Sequence, residues 1–326
     1  AAENFGKTLT FVLVANELDT DLTVTPTLDL TSAKDTSTVE PSNINVKSNI
    51  TLSSDFIYNV YVSALDEVKE ITLDGAFVNL YELEKVTIDG KNFYRVSKKL
   101  AAKDGSDAST VRVLIDNGKT QVTKTYVVSV PKYATKLLAS ATASDESKTV
   151  VIDAVAYIKA AKVYFGEPAD AALETLLEGH IEKSESELGL TEDKKVAEDS
   201  GKRIDASCLH LGATPAFVFY LKEGVGQAVA ESFRFTSVSG APLDKVVGYD
   251  EASGRYFIEV TAYAYGMKDV LNFTYTDESG EAQSGSYNLA AYYVSPVASE
   301  ETKTLVRALA QYAEAAKAYR EFVIGK

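Results

Sequence analysis

The chain has no tryptophan, one cysteine, one methionine and two histidines in 326 residues. A lone cysteine, Cys208, excludes an internal disulfide. With so few Cys and His side chains, an ordinary zinc site has no ligand set, and no metal or cofactor is expected. Cations are short as well: 33 Lys and Arg stand against 47 Asp and Glu, a net charge of −14. Nucleic acid and anionic membrane surfaces require clustered Lys and Arg, so neither is expected as a partner. No apolar run approaches the roughly 20 residues of a membrane-spanning helix. The start, AAENFGK, has no signal-peptide pattern and is expected to be a mature or trimmed terminus. GxGxxG, Walker-type and GxSxG motifs are all missing.

What is present begins with a repeat. Residues 143–164 (ASDESKTVVIDAVAYIKAAKVY) and 298–319 (ASEETKTLVRALAQYAEAAKAY) align without a gap, with 11 of 22 positions identical. The identities include Ser144/Ser299, Tyr157/Tyr312, Ala160/Ala315, Ala161/Ala316 and Tyr164/Tyr319. The match extends upstream, where 50–62 aligns with 209–221 and the hairpin 111–119 with 272–281. The chain is therefore a tandem duplication of a unit of several strands and a helix.

The strands are β-branched and aromatic with period-2 character: 8–15, 21–30, 56–62, 92–97, 110–116, 123–130, 216–222, 230–238, 255–265 and 270–277. Asp74-Gly75, Asp89-Gly90, Asn117-Gly118 and Ser279-Gly280 supply turns between them. Short strands separated by such turns predict a mainly β chain. The expected architecture is two tandem antiparallel, Ig-like β-sandwich domains, each followed by a C-terminal α-helix. The domains are placed at 1–166, with extra N-terminal strands, and at 204–326, with a helical, acidic linker over 167–203. Ser144 and Ser299 suit helix N-caps, and the acids that follow each of them favour the positive end of the helix dipole. The apolar stripe of the first helix is Val151, Ala154, Tyr157, Ile158, Ala161 and Phe165; that of the second is Leu305, Leu309, Tyr312, Ala316 and Tyr319. The Ala pairs are expected to let each helix approach a sheet closely.

Reactive side chains form no catalytic pattern. His180 falls in the linker helix. Cys208 and His210 share a strand face without the geometry of a base on its nucleophile. The acids are spread over turns, helix starts and the linker, with no repeated pair for glycosidic hydrolysis. Asp19, Asp21 and Asp29 could offer oxygens to calcium but lack EF-hand spacing, and no local pattern marks a Lys–Asn crosslink. The 19 tyrosines are the remaining lead, because without Trp a sugar binder must stack pyranose faces on Tyr or Phe. Tyr263 and Tyr265, two apart on an expected strand, and Tyr292 and Tyr293, ahead of Pro296, are the candidate ligand-binding residues. The first pair aligns roughly with Lys98–Leu100, so that site is not duplicated.

The segment SYNLAAYYVSPVASEE followed by KTLVRALAQYAEAAKAYREF resembles a C-terminal module of secreted proteins from gut Firmicutes such as ruminococci and clostridia. The pattern LVxALxxYxxAAxxY is carried by Leu305, Val306, Ala308, Leu309, Tyr312, Ala315, Ala316 and Tyr319. The first copy departs from it at Asp153 and Ala154. The resemblance covers 204–326 well, 46–166 loosely and 1–45 not at all. It implies a non-catalytic part of a secreted or cell-surface attached protein and brings no catalytic residue with it. Its expected partner is a polysaccharide, or a cell-surface protein of an assembly that degrades one. The alternatives are a structural spacer or adhesin module without sugar binding and, third, an accessory or catalytic region of a glycoside hydrolase.

Overall fold

The computed structural model describes residues 41–52, 56–168 and 170–325. The strands expected over 8–15 and 21–30, and the Asp19, Asp21 and Asp29 grouping, lie outside the described residues. Those described are mainly β: sixteen strands in four antiparallel sheets, with a long helix at the C-terminal end. The chain divides into two compact units.

The first unit comprises the described residues up to Asn49 with 58–98 and 107–129. Its strands are β1 (Val46–Thr51), β2 (Ile57–Ser63), β3 (Val68–Leu73), β4 (Ala76–Val78), β5 (Glu84–Ile88), β6 (Lys91–Lys99), β7 (Ser109–Asp116) and β8 (Gln121–Val128). They form sheets in the orders β1-β2-β6-β5 and β4-β3-β7-β8. Alternation buries Val60 and Val62 on β2 and Val111, Val113 and Ile115 on β7, while β6 buries Phe93 and Val96, three residues apart. Asp74-Gly75 and Asp89-Gly90 close two-residue hairpins with φ of 51° and 84°, and of 52° and 73°. Positive φ at both positions is what a type I′ turn requires.

The second unit holds 50–57, 99–106 and the chain from Val130 onward. Its strands are β9 (Ala197–Asp199), β10 (Ile204–Leu211), β11 (Pro215–Leu221), β12 (Arg234–Thr236), β13 (Lys245–Asp250), β14 (Arg255–Thr261), β15 (Leu271–Thr276) and β16 (Ala282–Tyr287). One sheet runs β10-β11-β14-β13 and the other β12-β15-β16-β9. Aromatic rings join their inner faces: Phe219 on β11 lies 5.6 Å from Phe235 on β12 and 5.2 Å from Tyr287 on β16, centroid to centroid. Strand order carries the duplication. The order β1-β2-β6-β5 recurs as β10-β11-β14-β13, and β3-β7-β8 recurs as β12-β15-β16.

Among the described residues six α-helices belong to this unit: α1 (Val130–Leu138), α2 (Asp145–Tyr164), α3 (Ala171–Leu176), α4 (Gln227–Ser232), α5 (Leu289–Tyr293) and α6 (Glu300–Ile324). Ser144 and Ser299 cap α2 and α6, their hydroxyls accepting from the N–H of Ser147 and Thr302. Several sequence expectations need correction. The strand expected over 123–130 ends at Val128, and the chain turns into α1, whose first turn accommodates Pro131. The stretch 230–238 splits into the end of α4 and the short β12, and the strand expected over 255–265 stops at Thr261. Phe165, placed on the apolar stripe, is 48% exposed. The 167–203 segment is packed, burying Leu173, Leu188 and Leu190, and it contributes β9.

By compactness α2 groups with the second unit, where it packs along α6. Its apolar surface is wider than one stripe, because Val150, Val151, Ala154, Val155, Ile158 and Ala161 are all buried. At the contact the repeat-equivalent Tyr157 and Tyr312 stack, 5.6 Å apart and 14° from parallel. Their hydroxyls differ. Tyr312 donates to the Leu52 carbonyl, whereas the buried Tyr157 hydroxyl has no partner among the described residues. Burial pushes the Tyr157 phenol well above its ordinary pKa.

A buried polar network sits beside this pair. Asp153 Oδ1 lies 2.7 Å from His180 Nε2 and accepts from Gln311 Nε2 at 2.9 Å. Gln311 also donates to the Ile181 carbonyl and accepts from the Lys183 N–H. Both amide hydrogens of Gln311 are thereby used, so Nε2 of His180 carries the proton given to Asp153. His180 is thus a structural pin in a turn after α3, not a helix position.

Two stability predictions follow from these side chains. Tyr157→Phe is expected to leave stability unchanged or raised, while Tyr312→Phe costs about 1 kcal/mol by unpairing the Leu52 carbonyl. Asp153→Ala is expected to cost about 3 kcal/mol, because it strands His180 and Gln311 in the interior. Urea denaturation of the three variants checks both; a Tyr157→Phe loss exceeding that of Tyr312→Phe contradicts the assignment.

Candidate functional site

The four tyrosines singled out in the sequence fall in two places. Tyr263 and Tyr265 lie beyond β14, at a 3₁₀ turn over Ala264–Gly266, and not on a strand. Their rings still stack, 5.6 Å apart, and the Arg320 guanidinium sits 4.4 Å from the Tyr265 centroid. In the first copy the turn is Ala102–Asp104, so the equivalents of Tyr263 and Tyr265 are Ala101 and Lys103. Tyr292 and Tyr293 end α5. Burial pushes the Tyr292 phenol up to about 12. The Tyr293 ring is 3% exposed and its hydroxyl is committed to Glu185, at the wall of an open pocket of about 380 Å³. The structure does not bring the two pairs together into one platform. Cys208 and His210 do not pair either, since His210 Nδ1 is 3.0 Å from Glu259 Oε1.

A larger concavity lies on the outer face of the sheet β12-β15-β16-β9, an open groove of about 570 Å³. It arises from strand alternation. Along β15, Leu271, Phe273 and Tyr275 point inward and are buried, which turns Asn272, Thr274 and Thr276 to solvent. On β16 the same parity turns Ser284 and Ser286 outward.

Register then aligns these side chains into two ranks that cross the sheet. The first is Thr236, Asn272, Ser286 and Glu198, directly paired from strand to strand. The second is Arg234, Thr274 and Ser284, completed by Ser200, whose backbone N–H donates to the Ser284 carbonyl at 2.9 Å. The side chains of Thr236, Asn272, Thr274, Ser286 and Glu198 make no hydrogen bond with the described residues. Each therefore presents its donors and acceptors to whatever enters the groove. Arg234 is held in place by Nη1, which donates to the Glu231 and Phe233 carbonyls at 2.7 and 2.8 Å.

The groove edge is built with care. Asp199 on β9 points inward, accepting from the Tyr275 hydroxyl at 2.6 Å and from the Ile204 N–H at 2.8 Å. Burial, and then that bond to Asp199, pushes the Tyr275 phenol upward. Fixing Asp199 inward turns its neighbour Glu198 to the groove. Gly285 lies between the two ranks on β16. A Cβ there would stand 2.3 Å from the Phe273 ring and 2.2 Å from the Glu198 carbonyl, so only glycine lets β9 close on β16.

The outer face of the other sheet is different in kind. Tyr220 and Phe257 sit side by side with centroids 5.9 Å apart, and the Phe257 ring covers Gly248. The His210–Glu259 pair and Val246, 64% exposed, flank them. This face carries large rings where the groove carries small polar side chains.

Sequence reasoning missed the groove because it searched for aromatic rings. The available signal was the polar half of two alternating strands, LNFTYT and AQSGSY. Nothing in the residues around Glu198 marked a fourth strand.

Among the described residues no group of metal-binding side chains comes together, and no helix is long and apolar enough to cross a membrane. No protein-family model matches the sequence, and no curated protein matches it. Among solved structures the chain aligns with the Bacteroides ovatus mixed-linkage glucan utilization locus SGBP-B, in complex with a mixed-linkage heptasaccharide. The alignment covers 83% of this chain and 47% of that one, at 10% identity and a TM-score of 0.17. The chain thus spans about half the length of that protein, and a likeness at this TM-score carries no argument about fold or function.

Proposed function

We propose that this chain is a non-catalytic polysaccharide-binding module of a secreted or surface-attached bacterial protein, and that the groove across β12, β15, β16 and β9 holds the glycan. The observation that carries this reading is the pair of register-matched polar ranks, with five side chains unpartnered among the described residues. Sugars present a hydroxyl at nearly every carbon, and small Ser, Thr and Asn side chains bond them in either sense without bulk. The groove volume, about 570 Å³, is within the ordinary range for ligand sites.

The tandem Ig-like organisation, with duplicated units at 1–166 and 204–326 around 167–203, belongs to the same proposal. Recurring strand order and paired helices support it. The helix pattern through Tyr312 and Tyr319 supports a habitat among gut Firmicutes. A non-enzymatic role agrees with the Asp153–His180–Gln311 network, whose bonds are used internally.

The test is electrophoresis of the full chain through gels containing soluble plant polysaccharides. Retardation is expected, and Asn272→Ala with Thr274→Ala should weaken it at least tenfold. Tyr220→Ala and Tyr263→Ala should change it less than twofold. Both groove positions are exposed strand residues, so the double variant should keep its fold, as checked by circular dichroism. Migration unaffected by every polysaccharide would favour a spacer or protein-interaction module instead.

A further inference from the structure

The dimensions of the groove point to a class of glycan; this inference rests on the groove being the binding site. Neighbouring strands lie about 4.8 Å apart. An extended β-1,4-linked glycan advances by close to one such spacing per sugar. A chain laid across the sheet therefore meets a new strand, and a new member of each rank, at every sugar. Thr236, Asn272, Ser286 and Glu198 are spaced in this way along one rank, and Arg234, Thr274, Ser284 and Ser200 along the other. Two parallel ranks contact the two long edges of a flat, ribbon-like chain, where its hydroxyls project.

From this we infer that the ligand is a neutral, extended β-1,4-linked glycan such as a β-glucan, xylan or mannan, crossing the strands from β12 to β9. Four strands accommodate about four sugars at that spacing. Helical amylose curls away from a straight pair of ranks after the first contacts. Polyanionic pectins meet the outward Glu198 carboxylate against one guanidinium, Arg234, on a chain of net charge −14. A chain running along the strands would use only one strand's outward side chains, for example Asn272, Thr274 and Thr276, and would leave both ends of each rank idle.

Calorimetric titration of the full chain with hydroxyethylcellulose, xylan, glucomannan, amylose and polygalacturonate tests this. At least one of the three neutral β-1,4 polymers should bind ten times more tightly than amylose or polygalacturonate. With its oligosaccharides, affinity should rise with length up to about four sugars and then level. Glu198→Ala and Thr236→Ala, at opposite edges of the sheet, should each weaken the tetrasaccharide at least threefold and the disaccharide by no more than a factor of two. Amylose or polygalacturonate binding as tightly as the neutral β-1,4 polymers overturns this inference while leaving a polysaccharide-binding groove in place, provided Asn272→Ala abolishes it. Binding that Asn272→Ala and Thr274→Ala leave intact, or no binding to any of the five, overturns the groove itself.

Discussion

Phe219 contacts Phe217, Phe235, Phe273 and Tyr287, and through these rings the two C-terminal sheets are held face to face. Phe233 and Tyr275 extend the cluster, stacked at 4.1 Å. Large rings each bury a large apolar area in this core. Because the side-chain period of a strand is two, fixing Phe273 and Tyr275 inward also fixes Asn272 and Thr274 outward. The groove is thus the other side of the core. A one-residue slip in β15 would exchange the two sets, so the same packing that stabilises the sandwich specifies the polar ranks.

The duplication shows where selection for packing ends and divergence begins. The helices α2 and α6 kept their Ser caps, their acidic first turns and the stacked Tyr157 and Tyr312. Among the positions where they differ, two build one contact. Asp153 stands where the second copy has Ala308, and Gln311 where the first has Ala156; together with His180 these fill the asymmetric seam beside the tyrosines. The sheets diverged at their edges in the same manner. β4 flanks β3 in one copy, whereas β9 flanks β16 in the other and supplies Glu198 to the first rank.

Much of the fold was legible in the residues. Asp-Gly pairs marked two hairpins, Ser144 and Ser299 marked helix starts, and period-2 apolar runs located β2, β6, β7, β11 and β15. Tertiary effects hid the rest. The helix α1 follows β-branched residues that read as strand until Pro131, and β12 is three residues long. His180 read as a position in the linker helix, and only burial places it on Asp153. The groove was legible only in part. The polar alternation of 271–276 and 282–287 was visible, but no local feature reveals that Thr236 and Glu198 arrive in register from residues distant in sequence. The aromatic lead pointed elsewhere, since Tyr293 is buried and Tyr265 is already in contact with Tyr263 and Arg320.

The central claim is that the polar outer face of β12-β15-β16-β9 meets a glycan chain. The most direct measurement is the change in backbone amide ¹H–¹⁵N shifts of the intact chain as a β-1,4-linked tetrasaccharide is added. Saturable shifts are predicted at Glu198–Ser200, Arg234–Thr236, Asn272–Thr274 and Ser284–Ser286, with Tyr220, Phe257, Tyr263 and Tyr265 unmoved. Saturable shifts confined to the Tyr220–Phe257 face or to the Tyr263–Tyr265 turn would contradict the account.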